Sequence, residues 1–208
     1  MNEALLTNND VEIMSREIVY QGFFSVEKLR LRHRLFNGGW SREFTRELFV
    51  RNRTVGVLLY DPVHELVGLT EQFRVGALGT PTGPWRMEVV AGIVDKSETS
   101  EQVVRRELFE EAGITNVTLQ PICEYLVSPG GTNERQELWC ACTDLRGRGG
   151  RFGLADENED IMLHVIPEQE AVAALSAGRC NNGATVICLQ WLQLNGASLR
   201  RQMVHETV

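Results

Sequence analysis

Three glutamates on one short stretch of this chain have the type and spacing to bind a divalent cation. Glu107, Glu110 and Glu111 stand at positions i, i+3 and i+4, which on a helix places their carboxylates on one face with β-carbons roughly 5–6 Å apart. Like charges at this spacing weaken an isolated helix, and the C-terminal end of the helix dipole disfavours anions too. A bound cation would offset both effects, although an acidic helix face taken alone is more often only solvated.

The predicted helix that carries these glutamates has recognisable ends. Thr99 and Gln102 fit a capping box, in which each side chain accepts a hydrogen bond from the other residue's backbone. Gly113 is suited to the left-handed conformation that commonly ends a helix. The sequence therefore predicts a helix that begins after Thr99 and ends before Gly113.

The residues around the helix extend it into a longer pattern. Residues 92–114 fit G-x5-E-x7-R-E-U-x-E-E-x-G-U, where U is a bulky aliphatic residue, at every defined position. Seven of these positions are fixed identities, so a chance match is on the order of one in a million. The stretch resembles the Nudix box, the signature of hydrolases that cleave a nucleoside diphosphate linked to another group.

The resemblance extends from about Val11 to Leu194 and is to the ADP-ribose pyrophosphatase branch of the Nudix family. It is carried by REL around Arg46, EQFR around Arg74, and the segments WRMEVVAG, SPGGTNER and LADENED. It implies Mg²⁺-dependent hydrolysis of ADP-ribose to AMP and ribose 5-phosphate, with Mn²⁺ as a substitute metal.

The acidic residues around Glu157, taken alone, indicate only a solvated loop. A pyrophosphatase, however, needs a base that accepts a proton from water in addition to its metal ligands, and a glutamate of this loop can serve as that base.

The resemblance also implies roles for individual residues. The metal ligands would be the backbone carbonyl of Ala91 and the carboxylates of Glu107, Glu111 and Glu159. The catalytic base would be Glu157, with Glu110 assisting, and the identity of the base among Glu157, Glu159 and Glu110 stays open. Glu98 and Arg106 would pair with each other rather than touch substrate.

Substrate contacts are implied outside the box. In the family an aromatic pair packs on the adenine, and Phe23 and Phe24 occupy that place, although either could instead be a core residue of the first sheet. The remaining implied contacts are Arg46 and Arg74 for phosphate or ribose, and Ser128 and Glu134 for the terminal ribose. Residues 51–53 are unusually basic, and either add a phosphate contact or form a solvated turn.

The elements that must position these residues fall into two predicted domains, 1–52 and 53–208. The first holds short strand-like runs, such as the alternating LRLRHRLF, with a turn at Gly38-Gly39. It has too few apolar residues for its own core, which predicts a small antiparallel sheet that needs a partner surface. In the family these strands swap between the subunits of a homodimer.

The second domain predicts an α/β Nudix fold. Strand-like runs from two regions, with helices between and after them, indicate a mixed sheet sandwiched between α-helices. The segment RGRGGRFGL is predicted to be a loop that leads into LADENED.

Composition limits the other possibilities. A net charge of −7 argues against a general nucleic-acid or acidic-membrane surface. Five cysteines without regular spacing favour reduced thiols in a cytoplasmic protein and disfavour zinc. There is no apolar signal-peptide region and no apolar run of membrane-spanning length.

Two other functions are alternatives to ADP-ribose hydrolysis. A nucleotide-sugar pyrophosphatase, with GDP-mannose as substrate, would have the same Nudix box. The box binds only the pyrophosphate and therefore does not distinguish the two substrates. A non-catalytic ADP-ribose or NAD sensor is disfavoured, because such proteins usually lose box carboxylates and carry an added DNA-binding domain, whereas this chain keeps every carboxylate.

Overall fold

The computed structural model describes residues 6–95, 97–154, 156 and 158–206. The chain divides into two units. The smaller is formed by the chain up to Asn52 together with Leu126–Glu134, and the larger by Arg53–Tyr125 and the chain from Arg135 onward. The larger unit is therefore interrupted in sequence by a segment that belongs to the smaller one.

The smaller unit is built on a three-stranded antiparallel sheet in the order β1-β2-β3. Its strands are β1 (Val11–Gln21), β2 (Ser25–His33) and β3 (Phe44–Val50). Gly38 and Gly39 have φ values of 89° and 79° in the connection from β2 to β3, which confirms the predicted turn. Among residues 6–52 only Leu29 is buried, so this sheet has almost no core of its own.

The larger unit contains a mixed sheet. Its strands are β4 (Thr54–Asp61), β5 (Leu66–Phe73), β6 (Trp85–Glu88), β7 (Val90–Ile93), β8 (Thr118–Leu126), β9 (Arg135–Cys142), β10 (Gly150–Phe152) and β11 (Ile161–Pro167). The main order is β10-β11-β5-β4-β9-β8, with β6 beside β5 and β7 beside β4. Strand β4 is parallel to β9 but antiparallel to β5 and β7.

Helices cover both faces of this sheet, as the sequence predicts. They are α1 (Ser100–Ala112), α2 (Glu168–Ser176) and α3 (Gly183–Glu206). Alternate residues of the fully buried strand β4 separate the two cores. Val57 packs in the cluster that contains α1, whereas Leu58 packs in the cluster that contains α2 and α3.

One segment differs from its predicted structure. RGRGGRFGL was predicted to be a loop, but Gly150–Phe152 form the edge strand β10, paired antiparallel with Ile161–Leu163 of β11. The glycines mark the turn before this strand, and the pairing itself comes from a distant partner that no local pattern reveals. Strand β10 thereby anchors the start of the acidic segment that follows it.

All five cysteines are free thiols, as predicted. Cys140 and Cys142 lie on the same side of β9, with their sulfur atoms 3.9 Å apart. None of the helices formed by the described residues is long and apolar enough to cross a bilayer.

Candidate active site

Both predicted ends of helix α1 are confirmed. The Thr99 N–H donates to the side chain of Gln102 at 2.8 Å, and the Gln102 N–H donates to Thr99 Oγ1 at 3.3 Å. Gly113 ends the helix with φ 64°, and a β-carbon there would lie 2.8 Å from the ring of Phe152. This glycine therefore serves both the left-handed turn and the packing of β10 against the helix end.

Arg106 lies in the turn of α1 where the predicted ligands begin, and its guanidinium pairs with three carboxylates. Its Nη1 lies 2.9 Å from Glu107 Oε1 and 3.0 Å from Glu110 Oε2, and its Nε lies 3.4 Å from Glu98 Oε1. The predicted pairing of Glu98 with Arg106 is confirmed. One guanidinium orients these carboxylates but neutralises only one of their three charges.

Glu111 is the most deeply buried carboxylate of the helix, with 2% of its surface exposed. One oxygen accepts from Gln72 Nε2 at 3.4 Å and the other from the Ala91 N–H at 3.3 Å. Both donors are neutral and both bonds are long, whereas a buried charge normally needs a close cationic partner. Sequence reasoning missed Gln72, although a polar residue at a buried strand position is a signal that could have identified it.

The electrostatics of the helix show an excess of negative charge. Burial raises the pKa of Glu107 to about 7, an effect that Arg106 opposes and that Glu110 and Glu159 increase. Burial likewise raises the pKa of Glu111 to about 8, with further increases from Glu107 and Glu159. The Ala91 N–H and the charge of Arg74 lower the pKa of Glu111, but by less than burial and the other carboxylates raise it. A divalent cation would relieve this repulsion, and carboxylate oxygens are the donors that Mg²⁺ and Mn²⁺ prefer.

The loop that carries Glu159 folds back onto the end of α1, and the charge of Glu159 acts on the pKa values of Glu107 and Glu111. The Gly153 N–H donates to the Glu110 carbonyl at 3.3 Å, and the Glu159 N–H donates to the Leu154 carbonyl at 3.1 Å. Gly153 has φ 98°, and a β-carbon there would lie 2.8 Å from the Glu159 carbonyl oxygen. The predicted base, Glu157, lies outside the described residues.

The glycine that opens the box has a steric role. The Glu107 side chain packs directly against Gly92, so a β-carbon at residue 92 would overlap the Glu107 carboxyl group. Ala91, the predicted carbonyl ligand, precedes this glycine on β7 and contacts Glu111 through its N–H. Strand β7 and helix α1 thus bring three of the four predicted metal ligands together.

Arg74, a predicted phosphate or ribose contact, also lies in the larger unit. Its Nε lies 2.7 Å from Glu88 Oε2, and its charge lowers the pKa of Glu111. It is therefore a cation on the border of the carboxylate cluster, held by a buried glutamate.

The other five predicted substrate contacts lie in the smaller unit. Phe23 is 86% exposed and is therefore not a core residue, whereas Phe24 is half-buried with its ring 5.1 Å from that of Phe49. Glu134 forms an ion pair with Arg51. Arg46 and Ser128 are exposed, and Arg46 lies over the Phe44 ring with 4.6 Å between its guanidinium carbon and the ring centroid.

Another group of potential metal ligands lies outside the Nudix box. Among the described residues, one ligand atom each from Asp61, His64 and Asp144 lies within 4.8 Å of the others. The box glutamates do not belong to this group. The two Asp61 oxygens already accept four hydrogen bonds from Val63, His64 and Leu145, at 2.9–3.0 Å. This group therefore serves to hold the turn after β4.

Comparison with known proteins agrees with this geometry. The NUDIX domain family matches residues 50–186. The chain is 45% identical to the ADP-ribose pyrophosphatase of Escherichia coli K12, over 93% of each chain. It is 29% identical to the GDP-mannose pyrophosphatase of Pectobacterium atrosepticum, over 91% of this chain and 97% of the relative. A solved structure described as an ADP compounds hydrolase has a similar fold, with a TM-score of 0.67 and 21% identity over 93% of this chain and 99% of that one.

Proposed function

The chain belongs to the Nudix hydrolase family, and from this premise we propose that it hydrolyses ADP-ribose to AMP and ribose 5-phosphate in a Mg²⁺-dependent reaction. The observation that carries the proposal is the buried Glu111 carboxylate, whose hydrogen-bond donors are two neutral groups and whose pKa is raised further by the neighbouring carboxylates of Glu107 and Glu159. A site with this charge excess suits divalent cations and, through them, a diphosphate.

The proposed metal ligands are the Ala91 carbonyl and the carboxylates of Glu107, Glu111 and Glu159. Nudix hydrolases generally use divalent metals, and this donor set consists of oxygen alone, which suits Mg²⁺ and allows Mn²⁺. Such ions, when bound, would neutralise phosphoryl charge and acidify a water. Arg106 and the packing against Gly92 would hold Glu107 in the required orientation.

In the proposed mechanism Glu157 accepts a proton from the water that attacks one phosphorus in line. The bond from that phosphorus to the bridging oxygen breaks, and the other phosphate leaves with that oxygen. Glu110, held by Arg106 at 3.0 Å, assists by keeping the cluster negative. At the other parts of the substrate, Phe23 and Phe24 would pack on the adenine, Arg46 and Arg74 would contact phosphate or ribose, and Ser128 and Glu134 would contact the terminal ribose.

The test is a hydrolysis panel. ADP-ribose, GDP-mannose, NADH and diadenosine polyphosphates are incubated with the protein in Mg²⁺ and in chelator, and products are separated by chromatography. We expect ADP-ribose to have the highest kcat/KM, to give AMP and ribose 5-phosphate, and to remain intact in chelator. Higher kcat/KM for GDP-mannose would instead support the nucleotide-sugar function, which the lower identity to the GDP-mannose relative disfavours.

We further propose a cytoplasmic homodimer with exchanged N-terminal strands. What supports it is the apolar surface of β1, where Ile13 and Ile18 are 51% and 58% exposed. Sedimentation of the wild-type protein should give twice the monomer mass, and Ile18→Lys should lower the dimer's stability. A wild-type monomer at micromolar concentration would contradict the proposal.

A further inference from the structure

The guanidinium of Arg51 lies where three side chains of the smaller unit meet. Its central carbon is 4.2 Å from the ring centroid of Phe24 and 5.6 Å from that of Phe49. Its Nη2 lies 3.6 Å from Glu134 Oε1. The Arg51 and Glu134 side chains are only 22% and 17% exposed, so this residue is not part of a solvated turn.

Backbone contacts fix the place of this cluster. The Arg51 N–H donates to Asn133 Oδ1 at 2.8 Å, and the Phe49 N–H donates to the Gly131 carbonyl at 2.8 Å. At the other end of the same segment the Val127 N–H donates to the Glu134 carbonyl at 3.1 Å. The end of β3 is therefore bound to residues 126–134, and the Arg51 side chain joins Phe24 to Glu134 across that junction.

We propose that Arg51 is a positioning residue that orients Phe24 and Glu134 together and so sets the affinity for the substrate. The inference rests on the proposed function, which assigns Phe24 to the adenine and Glu134 to the terminal ribose. Arg51 acts through these two side chains, so the groups that read opposite ends of the substrate are coupled through one guanidinium.

The chemistry of arginine suits this role. Its planar guanidinium stacks on an aromatic face while its edge donates to a carboxylate, which a lysine ammonium cannot do with the same geometry. Without it, no cationic side chain among the described residues would pair with the Glu134 carboxylate, and one face of Phe24 would be uncovered. Both side chains would then have to be ordered by the substrate itself, which weakens binding.

The experiment compares Arg51→Met and Arg51→Lys with a matched control, Arg30→Met. Arg30 also lies in the smaller unit and forms an ion pair of the same length with Glu43, 3.6 Å, but both side chains are largely exposed. We expect Arg51→Met to raise KM for ADP-ribose about tenfold with kcat within about twofold of wild type. Arg51→Lys should recover part of the loss, and Arg30→Met should equal wild type.

A mutant cycle with three substitutions separates positioning from direct contact. If Arg51 acts through its partners, adding Arg51→Met to a protein that already carries Phe24→Leu and Glu134→Gln should raise KM by less than about twofold. A full tenfold increase in that background would mean that Arg51 contacts the substrate directly, and would overturn the proposal.

Three further outcomes are distinguishable. If the wild-type protein hydrolyses ADP-ribose and Arg51→Met has the same KM, the positioning role is wrong and the proposed function stands. If the wild-type protein leaves ADP-ribose intact in Mg²⁺, the proposed function fails and the role of Arg51 fails with it. A fall in kcat with unchanged KM would also overturn the proposal, because it would place Arg51 at the chemical step.

Discussion

The two units of this protein differ in how they hold the residues that we propose to bind metal and substrate. In the larger unit, the carboxylates of α1 sit on a helix whose inner residues, such as Val104 and Leu108, are fully buried against a covered sheet. In the smaller unit, Leu29 is the only buried residue of 6–52, and Phe24 and Glu134 are held by one arginine.

The difference fits what each set of groups would do in the proposed function. Carboxylates that repel one another at close range keep their geometry only on a rigid frame, so they need a packed core behind them. Side chains that recognise a base or a sugar can be ordered by contact with the substrate, so a sheet with almost no core of its own is sufficient to hold them. We therefore expect substitutions in the larger unit to lower kcat, and substitutions in the smaller unit to raise KM.

The largest effect is expected for Glu111→Gln. Loss of a metal-binding carboxylate removes several kcal/mol of transition-state stabilisation, which corresponds to a decrease in kcat of about 1000-fold. Folding should persist, because glutamine has the same shape and Glu111 already favours its neutral form through burial. Steady-state kinetics in saturating Mg²⁺ and thermal unfolding test this. Full activity of the variant would remove Glu111 from the metal site.

A smaller decrease is expected for Glu157→Gln. A general base contributes about 100-fold or more to the rate of proton transfer, so kcat should fall by that factor while KM stays close to wild type. Stopped assays with ADP-ribose measure both constants. An unchanged kcat would move the base to Glu159 or Glu110.

In the smaller unit, Phe24→Leu should raise KM for ADP-ribose about tenfold, because stacking of a base on an aromatic ring contributes about 1–3 kcal/mol. The value of kcat should stay close to wild type. Phe36→Leu is the control, since Phe36 belongs to the same unit and is 99% exposed. A fall in kcat for Phe24→Leu with unchanged KM would break the division between the two units.

The smallest effect concerns pH. Burial raises the pKa values of Glu107 and Glu111 from 4.5 to about 7 and about 8 in the folded protein. Between these values the folded state binds more protons than the unfolded state, so this contribution to stability is lost progressively as pH rises from about 4.5 to about 7 for Glu107 and to about 8 for Glu111. In chelator, we expect Tm to fall by about 2–4 °C between pH 6 and 9, and by less in Glu111→Gln.

The same titration predicts how metal binding depends on pH. Mg²⁺ must displace the protons on Glu107 and Glu111, so its affinity should increase from pH 6 to 8.

The Tm measurements in chelator can contradict the raised pKa values. If the Tm of the wild-type protein falls between pH 6 and 9 by no more than that of Glu111→Gln, these carboxylates are ionised throughout this pH range.

Local signals were sufficient to predict the helix that carries the chemistry. The caps at Thr99 and Gly113 and the spacing of Glu107, Glu110 and Glu111 depend only on residues a few positions apart. The order of strand-like and helical runs along the chain likewise predicted a mixed sheet with helices on both faces. These features are determined by caps, by side-chain periods and by the order of elements, all of which can be seen in the sequence.

Features that depend on distant contacts could not be predicted in this way. Strand β10 exists because Gly150–Phe152 pair with β11, and residues 126–134 join the smaller unit because Gly131 and Asn133 bind the end of β3. The sequence alone left two roles open for Arg51, a phosphate contact or part of a solvated turn. Its observed partners come from three separate segments, and no spacing rule connects them.

The most direct test of the account is the binding of Mn²⁺, measured by electron paramagnetic resonance in the absence of substrate. The wild-type protein should bind Mn²⁺, and Glu107→Gln, Glu111→Gln and Glu159→Gln should each weaken binding by about tenfold or more. Glu101→Gln is the control, because Glu101 lies on the same helix and pairs with Arg105 at its surface. If all three variants bind Mn²⁺ as tightly as the wild-type protein, these carboxylates do not form the metal site.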